Sequence, residues 1–379
     1  MTNPAQDQND NAPERIKIGA QIQNPYQELP MPKVGDKIGP NRVDLLVGEG
    51  GMANVYKVWN EGLEVVRAIK VLKKANHQES KERFLTEAKI LADINHPNIV
   101  EIHNIGYIDQ RIPFIEMEFV EGTSIKNLIA QHQRLPLTAA LSIAYFTGLA
   151  LHYAHVKNYT LYGKVYHGLI HRDIKPDNIV ISKEGVVKLM DFGVARPSEV
   201  SLHTVGSKIV GTLVYLSPEQ LNGTILDHRS DLFSLGTVLY EMISGNRVFP
   251  HKSLQDLVQK KLKGEYLPLK SHGVPVPPSV ETIIAKSLAL NPDDRFASAS
   301  DMADALFASL HETTDRAPQN ILTRFMSNPE SLTIVGTKPP PGIIKMKKPP
   351  SGNKRWWLIY SAGIIVAAVV GGIIAMMVK

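Results

Sequence analysis

Apolar positions along this chain change their spacing several times. Residues 1 to about 35 are rich in Asn, Gln, Pro and Asp and carry no apolar period. Such a stretch cannot bury enough surface to fold alone, so 1–41 is read as a flexible leader, without the apolar run of a secretory signal. From Arg42 the period is two. Val43, Leu45 and Val47 alternate, Gly48 to Asn54 interrupt, and Val55-Tyr-Lys-Val58 resumes, which predicts strand, turn, strand. Val65–Leu72 predicts a further strand, about Glu79–Ile94 a helix, and Ile99–Ile102 and Phe114–Val120 two more strands. Beyond Gly122 the spacing becomes helical, clearest over 125–132 and 137–155, and folded sequence runs to about Leu310. Residues 311–355 are polar and proline-bearing, a linker, and 356–378 run 23 residues without a charge. A helix of that length spans roughly 34 Å, enough for a hydrocarbon core of about 30 Å.

Several positions violate this pattern. Lys70 lies inside an apolar strand, and Glu87 shares a helix face with Phe84 and Leu91. Two misplaced charges of opposite sign account for one another. Between the apolar pairs Leu169-Ile170 and Ile179-Val180 stands a loop, His171-Arg-Asp173-Ile-Lys175-Pro-Asp-Asn178, crowded with ionisable groups. Asp173 can take a proton from a hydroxyl, Asn178 can offer an amide oxygen to a metal, and Lys175 can neutralise a phosphate. Glycines at 48, 50 and 51 let backbone N–H groups approach a phosphate, although a glycine-rich hairpin without a ligand has the same pattern. Asp191-Phe-Gly193 ends a strand with a carboxylate and a residue that permits a sharp turn, which suits a metal ligand.

Composition narrows the chemistry. The chain has 379 residues and no cysteine, so disulfides, thiolate metal sites and cysteine nucleophiles are excluded. The net charge of +5 does not signal nucleic acid, because residues 331–379 hold seven basic and no acidic residues. The remainder is slightly negative.

The order H-R-D-x-K-x-x-N over His171–Asn178 resembles the catalytic loop of protein kinases. Gly48-Glu-Gly50-Gly51-Met-Ala53 resembles their glycine loop, with Ala53 in place of the third glycine, and the chain is similar to bacterial eukaryotic-like (Hanks-type) serine/threonine protein kinases. The resemblance implies an α+β, bilobal fold over 42–310. It has an N-lobe of antiparallel sheet plus one helix (42–121) and a helical C-lobe (122–310), followed by a basic juxtamembrane linker (311–355) and a C-terminal transmembrane helix (356–378). It implies ATP and Mg²⁺, with Asp173, Lys175, Lys70 and Glu87 catalytic and Asn178 and Asp191 holding the metal. The nucleotide would meet Gly48, Glu49, Gly50, Gly51, Val55, Ala68, Lys70, Met117, Glu118 and Val120. Lys175 two places after Asp173 marks Ser/Thr rather than Tyr specificity in that family. Asp231 is expected to bond the backbone of the catalytic loop, and Arg295 to pair with Glu219. The segment from Asp191 to Glu219 looks like an activation segment, and Arg172 beside the base makes Thr204 and Ser207 the favoured phosphorylation sites. Residues 156–170 read as an insertion of about ten residues looped out to solvent; a docking surface is the alternative. A pseudokinase scaffold and a small-molecule kinase are the competing classes. The first is opposed by Lys70, Asp173, Asn178 and Asp191, the second by the Gly211–Glu219 peptide-binding segment.

Six basic residues precede the apolar tail and one follows it, which predicts a single-pass membrane protein with its kinase domain in the cytoplasm. Gly363, Ala367, Gly371 and Ala375 recur every four residues, a stripe that would let two copies form a homodimer through the membrane. Short residues in a short anchor give the same pattern.

Overall fold

The computed structural model describes residues 30–73, 75, 77–193, 213–329 and 344–345. A twisted antiparallel sheet is built from β1 (Lys37–Ile38), β2 (Asn41–Glu49), β3 (Ala53–Asn60), β4 (Val65–Leu72), β5 (Ile102–Ile108) and β6 (Ile112–Glu118), in the order β1-β2-β3-β4-β6-β5. Because β4 is central, it is apolar on both faces apart from Arg67 and Lys70, the latter standing opposite Val55 on β3 and Ile115 on β6. Tyr56, Val58, Ile69, Val71 and Phe114 cover one face of the sheet. On the other, Ala53, Leu72 and Ile115 bury Phe84 and Ala88 of helix α1 (Gln78–Leu91).

The second lobe is helical. α2 spans Ile125–His132 and α3 Leu137–Val156, as the sequence predicts. Helices α4 (Pro218–Asn222), α5 (Arg229–Ser244), α6 (Leu254–Lys263), α7 (Pro278–Ser287), α8 (Ala299–His311) and α9 (Pro318–Ser327) complete it. α3 packs against α5, α8 and α9, so it is apolar nearly all round. Among the described residues it is the one helix long and apolar enough to cross a membrane, and it is the buried axis of this lobe. The expected span at 356–378 lies outside the described residues. A small sheet is formed by β7 (Gly122–Ser124), β10 (Ile179–Ser182) and β11 (Val187–Leu189), in the order β11-β10-β7, and its strands β10 and β11 run between Asn178 and Asp191.

Four expectations need correction. The fold starts before Arg42: β1 pairs Lys37 with Arg42 and Ile38 with Asn41, and Ile38 is buried. Ile99 to Glu101 is not a strand; Ile99 makes one isolated bridge to Leu189, and β5 begins at Ile102. The folded region does not close at Leu310, because α9 buries Ile321, Leu322 and Phe325 against the core. A polar, proline-bearing stretch concealed one amphipathic helix. Finally, residues 156–170 are not an unstructured loop. β8 (Asn158–Leu161) and β9 (Lys164–His167) form a hairpin in register, with Tyr159 opposite Tyr166.

Candidate active site

The site lies where three rigid pieces meet. From the upper sheet, Lys70 extends its ammonium to Glu87 Oε1 on α1 at 3.2 Å and to Asp191 Oδ1 at 2.9 Å. Burial opposes the lysine's charge, yet the two carboxylates outweigh it and hold its pKa above the ordinary lysine range. The shared cation does not serve both acids equally. Burial pushes Glu87 upward and Lys70 only partly offsets it, whereas Asp191, at the shorter contact and with its side chain 45% exposed, is drawn below the usual carboxylate range by Lys70 against the cost of partial desolvation.

From the lower lobe, the loop after Leu169 presents Asp173. Lys175 Nζ donates to Asp173 Oδ2 at 2.8 Å, and Asn178 Nδ2 donates to the same oxygen at 3.1 Å and to the Asp173 carbonyl at 2.9 Å. With its nitrogen so committed, the Asn178 side chain keeps its oxygen for another partner. β10 and β11 fix the spacing between Asn178 and Asp191, with Ile179 opposite Leu189 and the Met190 N–H donating to the Asn178 carbonyl at 2.8 Å.

The loop is strained and held from below. Arg172 has φ +65° and Asp191 φ +44°, a region that side chains other than glycine enter at a cost. Buried Asp231, in the first turn of α5, accepts the N–H groups of His171 and Arg172, each at 2.8 Å. His155 contacts the same carboxylate at 2.8 Å. The expected bond from Asp231 to the loop is present, whereas the role of His155 was missed; its place at the end of a buried helix gave no signal. Gln220 was missed as well. Ser217-Pro-Glu-Gln220 forms a capping box at the start of α4, and the Gln220 amide donates to the Arg172 carbonyl at 3.1 Å. The Ser-x-x-Gln spacing could have revealed it.

Above the cleft, Gly48–Gly51 lie at the β2–β3 turn. Gly50 donates its N–H to the Ala53 carbonyl at 2.9 Å, an oxygen so close that a Cβ on residue 50 would collide with it. Glu49 meets Lys73 at 2.8 Å across this turn. Ala68, Val100 and Met117 form a separate apolar cluster with Val55, Ile102, Phe119 and Met190, which suits the flat face of a purine. The Glu118 N–H, one of the expected purine contacts, is taken by the Glu101 carbonyl at 2.9 Å. Farther out, Arg295 forks onto Glu219 at 2.7 and 2.8 Å as expected, and Ser230 donates to the same carboxylate at 2.6 Å. Thr204 and Ser207 lie outside the described residues.

A two-lobed fold with these groups in its cleft defines a class, and this chain belongs to the protein kinase family: the model of the protein kinase domain matches residues 42–307. The chain is similar to a probable serine/threonine-protein kinase of Clostridium perfringens, 38% identical over 270 residues, which cover 70% of this chain and 38% of that protein. It is also similar to the serine/threonine-protein kinase PrkC of Bacillus subtilis, 36% identical over 272 residues, covering 71% of this chain and 40% of that protein. The match thus spans about two fifths of these relatives' length. The crystal structure of the PknI kinase domain of Mycobacterium tuberculosis superposes with a TM-score of 0.52 at 26% identity. That match covers 74% of this chain and all of that one.

Proposed function

We propose that this chain is an ATP-dependent serine/threonine protein kinase that phosphorylates protein substrates and its own activation segment. The supporting observation is the convergence of Glu87, Lys70 and Asp191 on one side of the cleft with Asn178, Asp173 and Lys175 on the other. The Asn178 amide reaches from the Asp173 carboxylate toward the Asp191 carbonyl, 3.5 Å away.

Asp173 accepts the proton of a substrate hydroxyl as that oxygen bonds to the γ-phosphorus and the bridging P–O bond to ADP breaks. Lys175 and Asn178 hold the carboxylate oxygen that would otherwise rotate away. Lys175 also stands ready to stabilise the transferred phosphoryl group. Lys70, fixed by Glu87, orients the α- and β-phosphates.

The donor set fits Mg²⁺. The Asp191 side chain is 45% exposed to the cleft, and the Asn178 oxygen is left over by the bonds its nitrogen makes. Among the described residues no cluster of three acidic or imidazole side chains could cage a metal alone, so a metal held here would complete its shell with phosphate oxygens. When bound, Mg²⁺ supplies neutralisation of phosphate charge.

The test is transfer of radiolabelled phosphate from ATP to a generic protein acceptor, followed by acid hydrolysis. Phosphoserine and phosphothreonine are expected, with a loss of about 10²–10⁴-fold in Asp173→Asn. Equal labelling by Asp173→Asn, or none by either protein, overturns the reading. The membrane span at 356–378, cytoplasmic placement of the kinase domain and dimerisation through the span are proposed on sequence alone.

A further inference from the structure

The hairpin β8–β9 runs between two parts of the site. At its root it runs directly into the catalytic loop. The Gly168 N–H donates to the Lys157 carbonyl at 3.1 Å, and the Leu169 N–H to the Ala154 carbonyl at 2.8 Å, two residues before His171. Gly168 has φ +74°, and a Cβ there would lie 2.5 Å from the His155 carbonyl, so the exit angle is fixed. Along the hairpin, Tyr159 stacks on Tyr166 with ring centres 5.4 Å apart, while Tyr159 and Leu161 pack on the lower-lobe core.

At its tip the hairpin reaches α1 of the other lobe. The Lys89 ammonium sits 4.7 Å from the centre of the Tyr162 ring. Lys89 lies two residues after Glu87, the residue that holds Lys70. The tip is a two-residue turn in which Tyr162 has φ +50° and Gly163 φ +76°. Turns of this shape favour Asn or Asp followed by Gly; a tyrosine at the first position is strained. Local turn chemistry therefore argues against Tyr162, and its contact with α1 is what the strain maintains.

We propose that this hairpin is a brace between the catalytic loop and α1, with Tyr162 the positioning residue that keeps Glu87 on Lys70. The inference rests on the kinase reading for its effect on activity, but the geometry it predicts can be measured without turnover.

Two variants of the full chain separate the brace from ordinary stability. Tyr162→Asn suits the turn better, so it should melt no lower than wild type; yet it should cut kcat/KM for ATP roughly two- to fivefold, the worth of a cation–π contact at an exposed site. Amide hydrogen exchange within α1 should accelerate by a similar factor while α3 stays unchanged. Tyr162→Phe keeps the ring under Lys89 and should match wild type. If α1 exchange is the same in Tyr162→Asn and wild type, the brace is refuted whether or not either protein is active. If neither protein transfers phosphate but α1 exchange still accelerates in Tyr162→Asn, the kinase reading fails and the brace stands.

Discussion

Asp231 accepts the backbone N–H of His171 at 2.8 Å across 60 residues of sequence, and its other oxygen takes Arg172 at the same distance. Burial disfavours its charge, but His155 and these N–H groups outweigh that and hold the carboxyl below its usual range. Arg172 can keep its positive φ because this carboxylate fixes the peptide before it and the Gln220 amide holds its carbonyl on the other side. Asp231→Asn turns one acceptor into a donor and strands a buried N–H. We expect a loss of about 1–3 kcal/mol in urea unfolding and a kcat lower by roughly one to two orders of magnitude with little change in KM for ATP. An unchanged kcat would show that the loop holds its shape without this anchor.

Glu219 and Arg295 form a buried fork in which Arg295 also donates to the carbonyls of Ala289 and Arg229. Removing one partner leaves the other buried and unpaired. Arg295→Ala should cost about 3–5 kcal/mol in denaturant unfolding, and Arg295→Lys should recover only part of this because an ammonium cannot make the fork. Burial opposes the Glu219 charge but Arg295 outweighs it, so its pKa is depressed. Its contribution to stability is present above about pH 4.5 and is lost as pH falls through the folded value.

His171 gives the opposite end of the acid response. Its Nε2 faces the Met190 carbonyl at 2.9 Å and its Nδ1 faces the Asp173 N–H at 3.2 Å, so the neutral ring protonated on Nε2 satisfies both. Burial pushes its pKa below 6.5. The unfolded chain then binds a proton near pH 6.5 that the folded chain refuses. Stability from this group is full above pH 6.5 and falls as pH drops toward the folded value, with a slope of up to about 1.4 kcal/mol per pH unit. Chemical unfolding between pH 7 and 5 should show this slope, and His171→Gln should flatten it.

Phosphorylation of Thr204 or Ser207 is expected to give Arg172 a bidentate partner. Alanine at both sites should lower activity on the order of tenfold, the worth of charge-assisted bonds to one arginine. Undiminished turnover, or phosphosite mapping that finds neither residue modified, would remove them as the activating sites.

The stripe through Gly363, Ala367, Gly371 and Ala375 predicts close approach of two membrane helices. Gly371→Ile should weaken association at least several-fold in a membrane dimerisation assay; unchanged association would assign the small residues to the anchor alone.

Much of the site was legible because its chemistry forces exceptions to local pattern. Lys70 in an apolar strand and Glu87 on an apolar helix face announced each other, and 3.2 Å separates them in the structure. Helices at 125–132 and 137–155 were read nearly to the residue, the first because its apolar face has a period and the second because its apolar run is too long for a strand. The edges of the domain were not legible. Ile38 is buried by a two-residue strand, too short for any period to show, and α9 sits in a stretch whose overall polarity outweighed one apolar face.

Residue type and spacing along the chain determined the fold family and the short motifs that carry Asp173, Asn178, Asp191 and Lys70, since each depends on few side chains. Several of the partners that hold these motifs depended on tertiary structure alone. His155 and Asp231 lie 76 residues apart, Gln220 and Arg172 lie 48 apart, and Tyr162 meets Lys89 from the other lobe. Contacts at such separations leave no periodic trace, because packing of distant elements brings them together and local preference does not. At the Tyr162 turn the two even conflict, and the long-range contact prevails.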